Sequence, residues 1–411
     1  MIWAGLSSQL TAHTLTMREA IAKTLAHHPD VKRFMLRIKQ AEEGYNAAYA
    51  DYLPQIDLSA TYNPTQTYVM PQNGSLSTID DDGWNAGVTL HQKVWDFERT
   101  NALIEASKID EDISKLSLAE VKALLAFKVR SLYELLIVQK EAIRVREKDL
   151  EAKKAFYAQA KALVKQGLKT HADASRFLSA VYLAEDNLAI AKASFDKAKS
   201  SLSLYMGKPI SDHVKLQSHV LKRGRKESKK RIEAEVLRHN HTVQIDTLAV
   251  EKSRQLHRSA HATQFGSVDV VASHNCFETL NSYNTDYVGI NYSVPLFTGG
   301  RLSAQEQQAK IGYQIAREQK ASDIIALKEE LRNLLIDIDR YGRTIKAKKA
   351  QLASAQKSLK LVSARYKEGL ATYIEVLDST SQVLAAKLGV LEAYYSRSLA
   401  LERIEYLKGT I

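Results

Sequence analysis

The chain is written twice. GVTLHQKVWDFER (Gly87 to Arg99) superposes on GINYSVPLFTGGR (Gly289 to Arg301) at an offset of 202 residues. The same offset carries VKQGLKT (Val164 to Thr170) onto YKEGLAT (Tyr366 to Thr372), and Gly207 of YMGK onto Gly409 of YLKG near the end of the chain. IDLSATYN (Ile56 to Asn63) superposes on VDVVASHN (Val268 to Asn275) at an offset of 212, which puts the ten-residue difference in the loop after Asn63. A repeat of this length means one structural unit built twice, and any fold must accommodate both copies.

Each copy shows the same order of elements. A helix comes first, over Leu15 to Tyr52 and again over Glu233 to Phe265. A strand, a polar loop and a second strand follow; the loops are expected over Pro64 to Gly83 and Cys276 to Asp286. A very long helix comes next, Arg99 to Lys165 and then Leu302 to Lys367. A tight turn near Gly167 or Gly369 sends a final helix back. The first repeat is read as 1–220 with a β-hairpin over 56–96, and the second as 233–411 with a β-hairpin over 268–297. The basic run between them, 221–232, is read as a linker.

The strands rest on period two. Trp84, Ala86, Val88, Leu90 and Val94 alternate with Asn85, Gly87, Thr89, His91 and Lys93. Val288, Ile290, Tyr292, Val294 and Leu296 stand opposite Gly289, Asn291 and Ser293. The helices rest on apolar spacing of threes and fours, as in Leu116, Val121, Leu124, Leu125, Leu132, Leu135 and Leu136. With only 6 Pro and 17 Gly in 411 residues, little interrupts them. At ~1.5 Å per residue a helix of about 67 residues is roughly 100 Å long, about the length of two shorter helices laid end to end. The expected fold is mainly α with a small β part: duplicated long antiparallel helical hairpins plus four strands.

No stretch approaches the roughly 18 apolar residues of a membrane-spanning helix. A chain of this kind crosses a membrane only as a β-barrel, because helices and closed barrels alone satisfy their backbone in lipid. Strands with one apolar and one polar face suit lipid outside and water inside. Four strands cannot close a barrel, for which about eight are the minimum. The barrel must then be shared, and three copies would supply twelve strands.

Other functional classes find little support. The net charge of +11 is spread through helices in alternation with Glu and Asp, without the aromatic or glycine pattern of nucleic-acid binding. The single cysteine, Cys276, allows no intramolecular disulfide and is read as a bystander in an outer loop. His257 and His261 share a helix face, and His27 and His28 align near His239 and His241, but neither set gathers a third ligand. No metal site, cofactor or catalytic residue is expected, and there is no GxSxG, HExxH or phosphate-binding glycine loop. The opening residues MIWAGLSSQLTA lack a basic region and read as the tail of a signal peptide cut near Ala12.

SVPLFTGGR (Ser293 to Arg301), its echo HQKVWDFER, YLPQIDLSATYN (Tyr52 to Asn63) and RYKEGLATYIEVLDSTS (Arg365 to Ser381) together resemble the TolC family of outer-membrane efflux proteins. The resemblance covers nearly the whole chain. It implies a homotrimer with a shared 12-stranded barrel among outer-membrane lipid and a helical tunnel in the periplasm of a Gram-negative bacterium. It also implies docking onto a periplasmic adaptor and an inner-membrane transporter, as the exit duct of a tripartite efflux or type I secretion system. The contrasting reading is a soluble coiled-coil scaffold of the cell envelope.

From the resemblance, Glu375 and Asp378 stand where the family carries gate acids, with glutamate here in place of aspartate. Asp173 occupies the matching place in the first half, and Tyr366 matches the tyrosine that ties to it. The basic residue that the family often supplies two positions after the turn glycine is Ala371 here, and Lys169 in the first turn is the candidate substitute. Gly167 and Gly369 are expected to turn the chain at the periplasmic tip. Pro295, Gly299 and Gly300 mark the strand-to-helix passage, where Phe97 and Glu98 replace the glycine pair in the first half.

Overall fold

A computed structural model of the protein describes residues 14–211, 215–217 and 228–410. The expected signal remnant, 1–12, and residues 221–227 of the expected linker lie outside the described residues. In chain order the elements are β1 (Thr14–Leu15), α1 (Met17–His27), α2 (Pro29–Ala50), β2 (Gln55–Gln72), β3 (Ser75–Trp95), α3 (Arg99–Lys165) and α4 (His171–Met206). They continue with β4 (Lys215–Leu216), α5 (Lys229–His239), α6 (His241–Ala262), β5 (Ser267–Glu278), β6 (Ser282–Ser293), α7 (Arg301–Lys367) and α8 (Tyr373–Leu407).

Three expectations are corrected. The first helix is two helices, because the residue before a proline is pushed out of the α region; His28 is extended at φ −64°, ψ 130° and Pro29 opens α2. The helix expected from Glu233 is likewise two, broken at Asn240 in nearly the same conformation (φ −63°, ψ 126°) and followed by a 3-10 turn, Thr263–Phe265. It also starts earlier, at Lys229 in the expected linker, where the Ser228 hydroxyl accepts from the Arg231 amide at 3.3 Å. The polar loops are mostly strand. β2 and β3 run through Pro64 to Gly83 and turn only at Asn73–Gly74, both left-handed at φ 53° and 79°. The second hairpin turns between Glu278 and Ser282, which places Cys276 inside β5.

Contacts divide the chain into two units. One comprises residues 1–33, 118–241 and 324–411. Its principal core gathers Leu15, Ala20, Val129, Tyr133, Leu136, Ala198, Leu202 and Met206. Tyr133 is fully buried, and its hydroxyl donates to the Leu15 carbonyl at 2.7 Å and the Gln217 carbonyl at 3.2 Å. Those carbonyls belong to, or adjoin, the parallel pair β1 and β4, whose register is Thr14↔Lys215 and Leu15↔Leu216. The end of α8 is held by charge. Glu402 pairs with Arg130 at 2.7 Å and Arg403 with Glu330 at 2.6 Å. The Tyr406 hydroxyl donates to Glu120, which also faces His241 at 3.2 Å.

The other unit comprises residues 34–117 and 242–323. Its sheet is antiparallel in the order β2-β3-β5-β6. One row across it is Ile56↔Leu90, Leu90↔Ala272 and Ala272↔Val288, so a single parity runs through all four strands. That parity is the apolar face, with Leu58 79%, Val288 80% and Ile290 76% exposed. Asp57, Thr89, Asp269 and Asn291 occupy the opposite parity. Within one chain the sheet ends on two edges, β2 and β6.

Removing the Tyr133 hydroxyl takes a donor from the Gln217 carbonyl and from the Leu15 carbonyl, which keeps the Gln217 amide at 3.3 Å, and Tyr133→Phe is expected to cost about 1–3 kcal/mol. The measurement is the denaturant midpoint of the helical signal, with Tyr182→Phe at an exposed position expected to change nothing.

Candidate functional site

The two glycine turns are built alike. After α3 the Leu168 amide donates to the Leu163 carbonyl at 3.0 Å and the Gly167 amide to Val164 at 3.0 Å. After α7 the Leu370 amide donates to Arg365 at 2.8 Å and the Gly369 amide to Tyr366 at 3.1 Å. This is the Schellman pattern, which needs a left-handed residue at its centre; Gly167 and Gly369 lie at φ 78° and 76°. The returning helices open alike as well. Thr170 and Asp173 cap α4 reciprocally, as Thr372 and Glu375 cap α8. The T-x-x-D/E spacing is the sequence signature of that capping box, and it went unread at both turns.

The capping fixes what the predicted acids are doing. Glu375 Oε2 accepts from the Thr372 amide at 2.7 Å and its hydroxyl at 3.1 Å, while Arg365 stands 3.9 Å from Oε1. The Thr372 backbone bond first, then its hydroxyl and Arg365, hold the Glu375 carboxyl below the usual range. Asp173 accepts from the Thr170 amide at 3.1 Å and hydroxyl at 3.0 Å. Asp378, one turn into α8, is exposed and accepts from Gln382 at 2.7 Å.

A small core joins the two turns: Ala160, Leu163, Phe177, Tyr366, Ala371 and Val376. Tyr366 is fully buried, edge-on to Phe177 at 5.6 Å. Its hydroxyl has no hydrogen-bond partner among the described residues, and burial, then the Asp173 charge, push its pKa up. Lys169 lies 5.4 Å over the Tyr366 ring and donates to the Ala371 carbonyl at 3.1 Å. Lys169, the residue 202 positions before Ala371, thus brings an ammonium to the backbone of that position. Leu168 and Leu370 remain 62% and 69% exposed at the turns.

At the strand-to-helix passages the backbone repeats and the residues do not. Gly299 and Gly300 lie at φ 62° and 82°; Phe97 and Glu98 take the same left-handed pair of conformations at 56° and 73°. Buried Asp96 closes the first passage by accepting from the Thr100 amide at 2.9 Å and from the Thr100 hydroxyl. In the second, Thr298 accepts from the Leu302 amide at 3.5 Å. Pro295, which has no amide to donate, follows the end of β6.

Elsewhere, His261 contacts Glu306 at 2.8 Å, and among the described residues no three His, Cys, Asp or Glu side chains are arranged to hold a metal. Cys276 Sγ lies 3.6 Å from His274 Nε2, and His274 Nδ1 is 2.6 Å from Asp286. One carboxyl cluster escaped the sequence reading. Burial, then the neighbouring Asp323, push Asp246 up to about 6, with Lys320 opposing. Its Oδ2 is buried with no hydrogen-bond partner among the described residues. A lone Asp in a helix carries no sequence signal of such a neighbour.

A sequence model described as outer membrane efflux protein matches residues 20–208 and 234–410. The outer membrane protein TolC of Escherichia coli is 23% identical over 99% of this chain and 84% of its own length. The outer membrane efflux protein BepC of Brucella suis is 20% identical over 92% of this chain and 82% of its own. Among solved structures, the outer membrane protein VceC of Vibrio cholerae superposes with a TM-score of 0.82 over 95% of this chain and 96% of that one, at 18% identity.

Lys169→Met keeps the stem and removes the donor, for an expected loss of about 1 kcal/mol at the turn. Amide exchange at Leu370 to Thr372 should quicken several-fold, with α8 beyond Ser379 unchanged. For Asp246, a carboxyl raised in the folded state contributes stability present below its unfolded pKa and lost as pH rises through about 6. Asp246→Asn should therefore gain on the parent protein between pH 4 and 7, by at most about 1 kcal/mol after solvent screening. Paired denaturant curves at the two pH values measure this.

Proposed function

This chain belongs to the outer membrane efflux protein family, and from that premise we propose that it is one protomer of a homotrimeric exit duct. Its place is the outer membrane, like that of its relatives. In this reading three chains pair β2 of one with β6 of the next, and four strands apiece make a 12-stranded barrel. The duct is a passive conduit and not an enzyme. It serves a tripartite efflux or type I secretion system, receiving its cargo from an inner-membrane transporter through a periplasmic adaptor. The exposed Leu168 and Leu370 give the tip an apolar surface suited to that adaptor.

The observation that carries the reading is the sheet itself: an apolar face, a polar face and two open edges. A soluble scaffold would leave Leu58, Val288 and Ile290 in water at more than two-thirds exposure each. Lipid accepts those side chains but cannot satisfy the edges, which calls for further copies of the same chain.

We place the gate at the tip. Glu375 and Asp378 of three copies would bring six carboxylates to the narrow end, where a ring of acids favours cations. Asp173 and Tyr366 sit beside it as the latch, with Lys169 holding the two turns of one protomer together.

Planar-bilayer conductance of the detergent-purified protein is the test. Cation-preferring steps are expected, and silence from a verified trimer with a tip freed by Lys169→Met would sink the duct. Glu375→Gln with Asp378→Asn should lower cation preference and raise the divalent-ion concentration that blocks by about tenfold. Unchanged selectivity and block would remove the gate from these two residues.

A further inference from the structure

We infer that the helix end of the sheet carries a seat for one aminophospholipid, with Arg258 taking the phosphate and Glu98 the ammonium of its headgroup. The inference rests on the outer-membrane reading above and adds a ligand to it.

A cavity of about 440 Å³ lies where β3 passes into α3 and the 3-10 turn passes into β5. Its walls include Trp95, Phe97 and Phe265, with Arg258, Glu98 and His261. The rings interlock: Phe97 stands 5.5 Å from Phe265, Trp95 6.3 Å from Phe97, and His261 edge-on to Phe265 at 5.4 Å. His261 is held by Glu306 at 2.8 Å. Trp95 and Phe265 are nonetheless 50% and 44% exposed, so the aromatic wall is open.

Position identifies the occupant. Trp95 pairs with Val268, which shares its parity with Val270 and Ala272 on the apolar face of the sheet. The cavity therefore continues the surface that meets acyl chains. Phe97 follows β3 and Phe265 precedes β5, the two central strands, away from the edges through which copies would join. Aromatic side chains at such a boundary favour the headgroup level.

Charge then selects the headgroup. Arg258 uses one donor on Gln255 at 3.1 Å and has no carboxylate partner among the described residues. A guanidinium with donors to spare beside apolar walls suits a phosphodiester. Among the described residues Glu98 receives only the Asn101 amide at 3.3 Å, which leaves its carboxylate for a second cation. One anion site and one cation site in a single cavity match a phosphoethanolamine, not an anionic glycerol headgroup.

The repeat supplies an independent argument. The second half turns this corner with two glycines, which adopt left-handed backbone at no cost. The first half holds Phe97 and Glu98 there instead, a strained pair of the kind that persists where the side chains are used. Those two side chains line the cavity.

The full-length protein, delipidated in detergent, would be offered phosphatidylethanolamine, phosphatidylcholine or phosphatidylglycerol, and retained lipid read by native mass spectrometry. Phosphatidylethanolamine is expected at one per chain. Arg258→Ala should lower retention of every phospholipid by about tenfold, and Glu98→Gln should erase only the preference over phosphatidylcholine. Phe97→Gly should release lipid while keeping or raising the melting temperature, since it copies the second half. Retention unchanged in both charge variants overturns the seat. So does equal retention of the three lipids by the parent, or displacement by soluble phosphoethanolamine at equal concentration. A protein that conducts in bilayers yet retains no phosphatidylethanolamine loses this inference alone, whereas one that never inserts loses the duct as well.

Discussion

The structure depends on how a four-stranded sheet disposes of its edges. β2 is bonded only to β3, and β6 only to β5. In water an open edge is tolerable, but in hydrocarbon each unpaired amide or carbonyl costs several kcal/mol. The side chains press the same issue, because the Ile56–Leu90–Ala272–Val288 parity is apolar while the opposite parity carries Asp57 and Asp269. A slip of one residue would exchange the two faces, so register is tightly specified. Apolar outside, polar inside and no free edge are met together only by closure with further copies.

Duplication fixes the backbone and leaves the chemistry free. Both tips use a left-handed glycine, a Schellman turn and a capping box, down to the same bond pattern. Both short helices preceding the hairpins break at positions 212 residues apart, His28 and Asn240. Yet one copy reaches the first break with a proline, and the other with Asn240 donating to the Leu407 carbonyl at 3.1 Å. The carboxyls Asp246 and Asp323 fall at offsets matching Phe34 and Val121 (246 − 212 and 323 − 202), so two positions that are apolar in one half are acidic in the other.

Legibility followed the range of the interactions. Long helices and four antiparallel strands were visible because periods of 3.6 and 2 are local properties of the chain. The turn at Asn73–Gly74 was also written in plain view, as Asn-Gly between Tyr68–Val69 and Leu76; the polar residues around it drew the reading toward a loop. Pro29 likewise announced its break. Asn240 did not, since its stop depends on a carbonyl 167 residues away. Nor did the Lys169 contact with Ala371, which exists only because two turns meet. Tertiary partners decide such residues, and no local pattern in the chain spells them out.

The proposed gate acids are therefore unequal, although both sit at the head of α8. Glu375 is committed to the Thr372 amide and hydroxyl, and the helix N-terminus already balances part of its charge. Its lone pairs are largely spent on the cap, with Arg365 beside it, so in the proposed gate it would offer a passing cation little. Asp378 lies beyond the cap and is exposed, and it accepts from the Gln382 amide. It can turn to an ion without opening the helix. In the proposed gate, Glu375 would accordingly shape the turn and Asp378 would meet the ion.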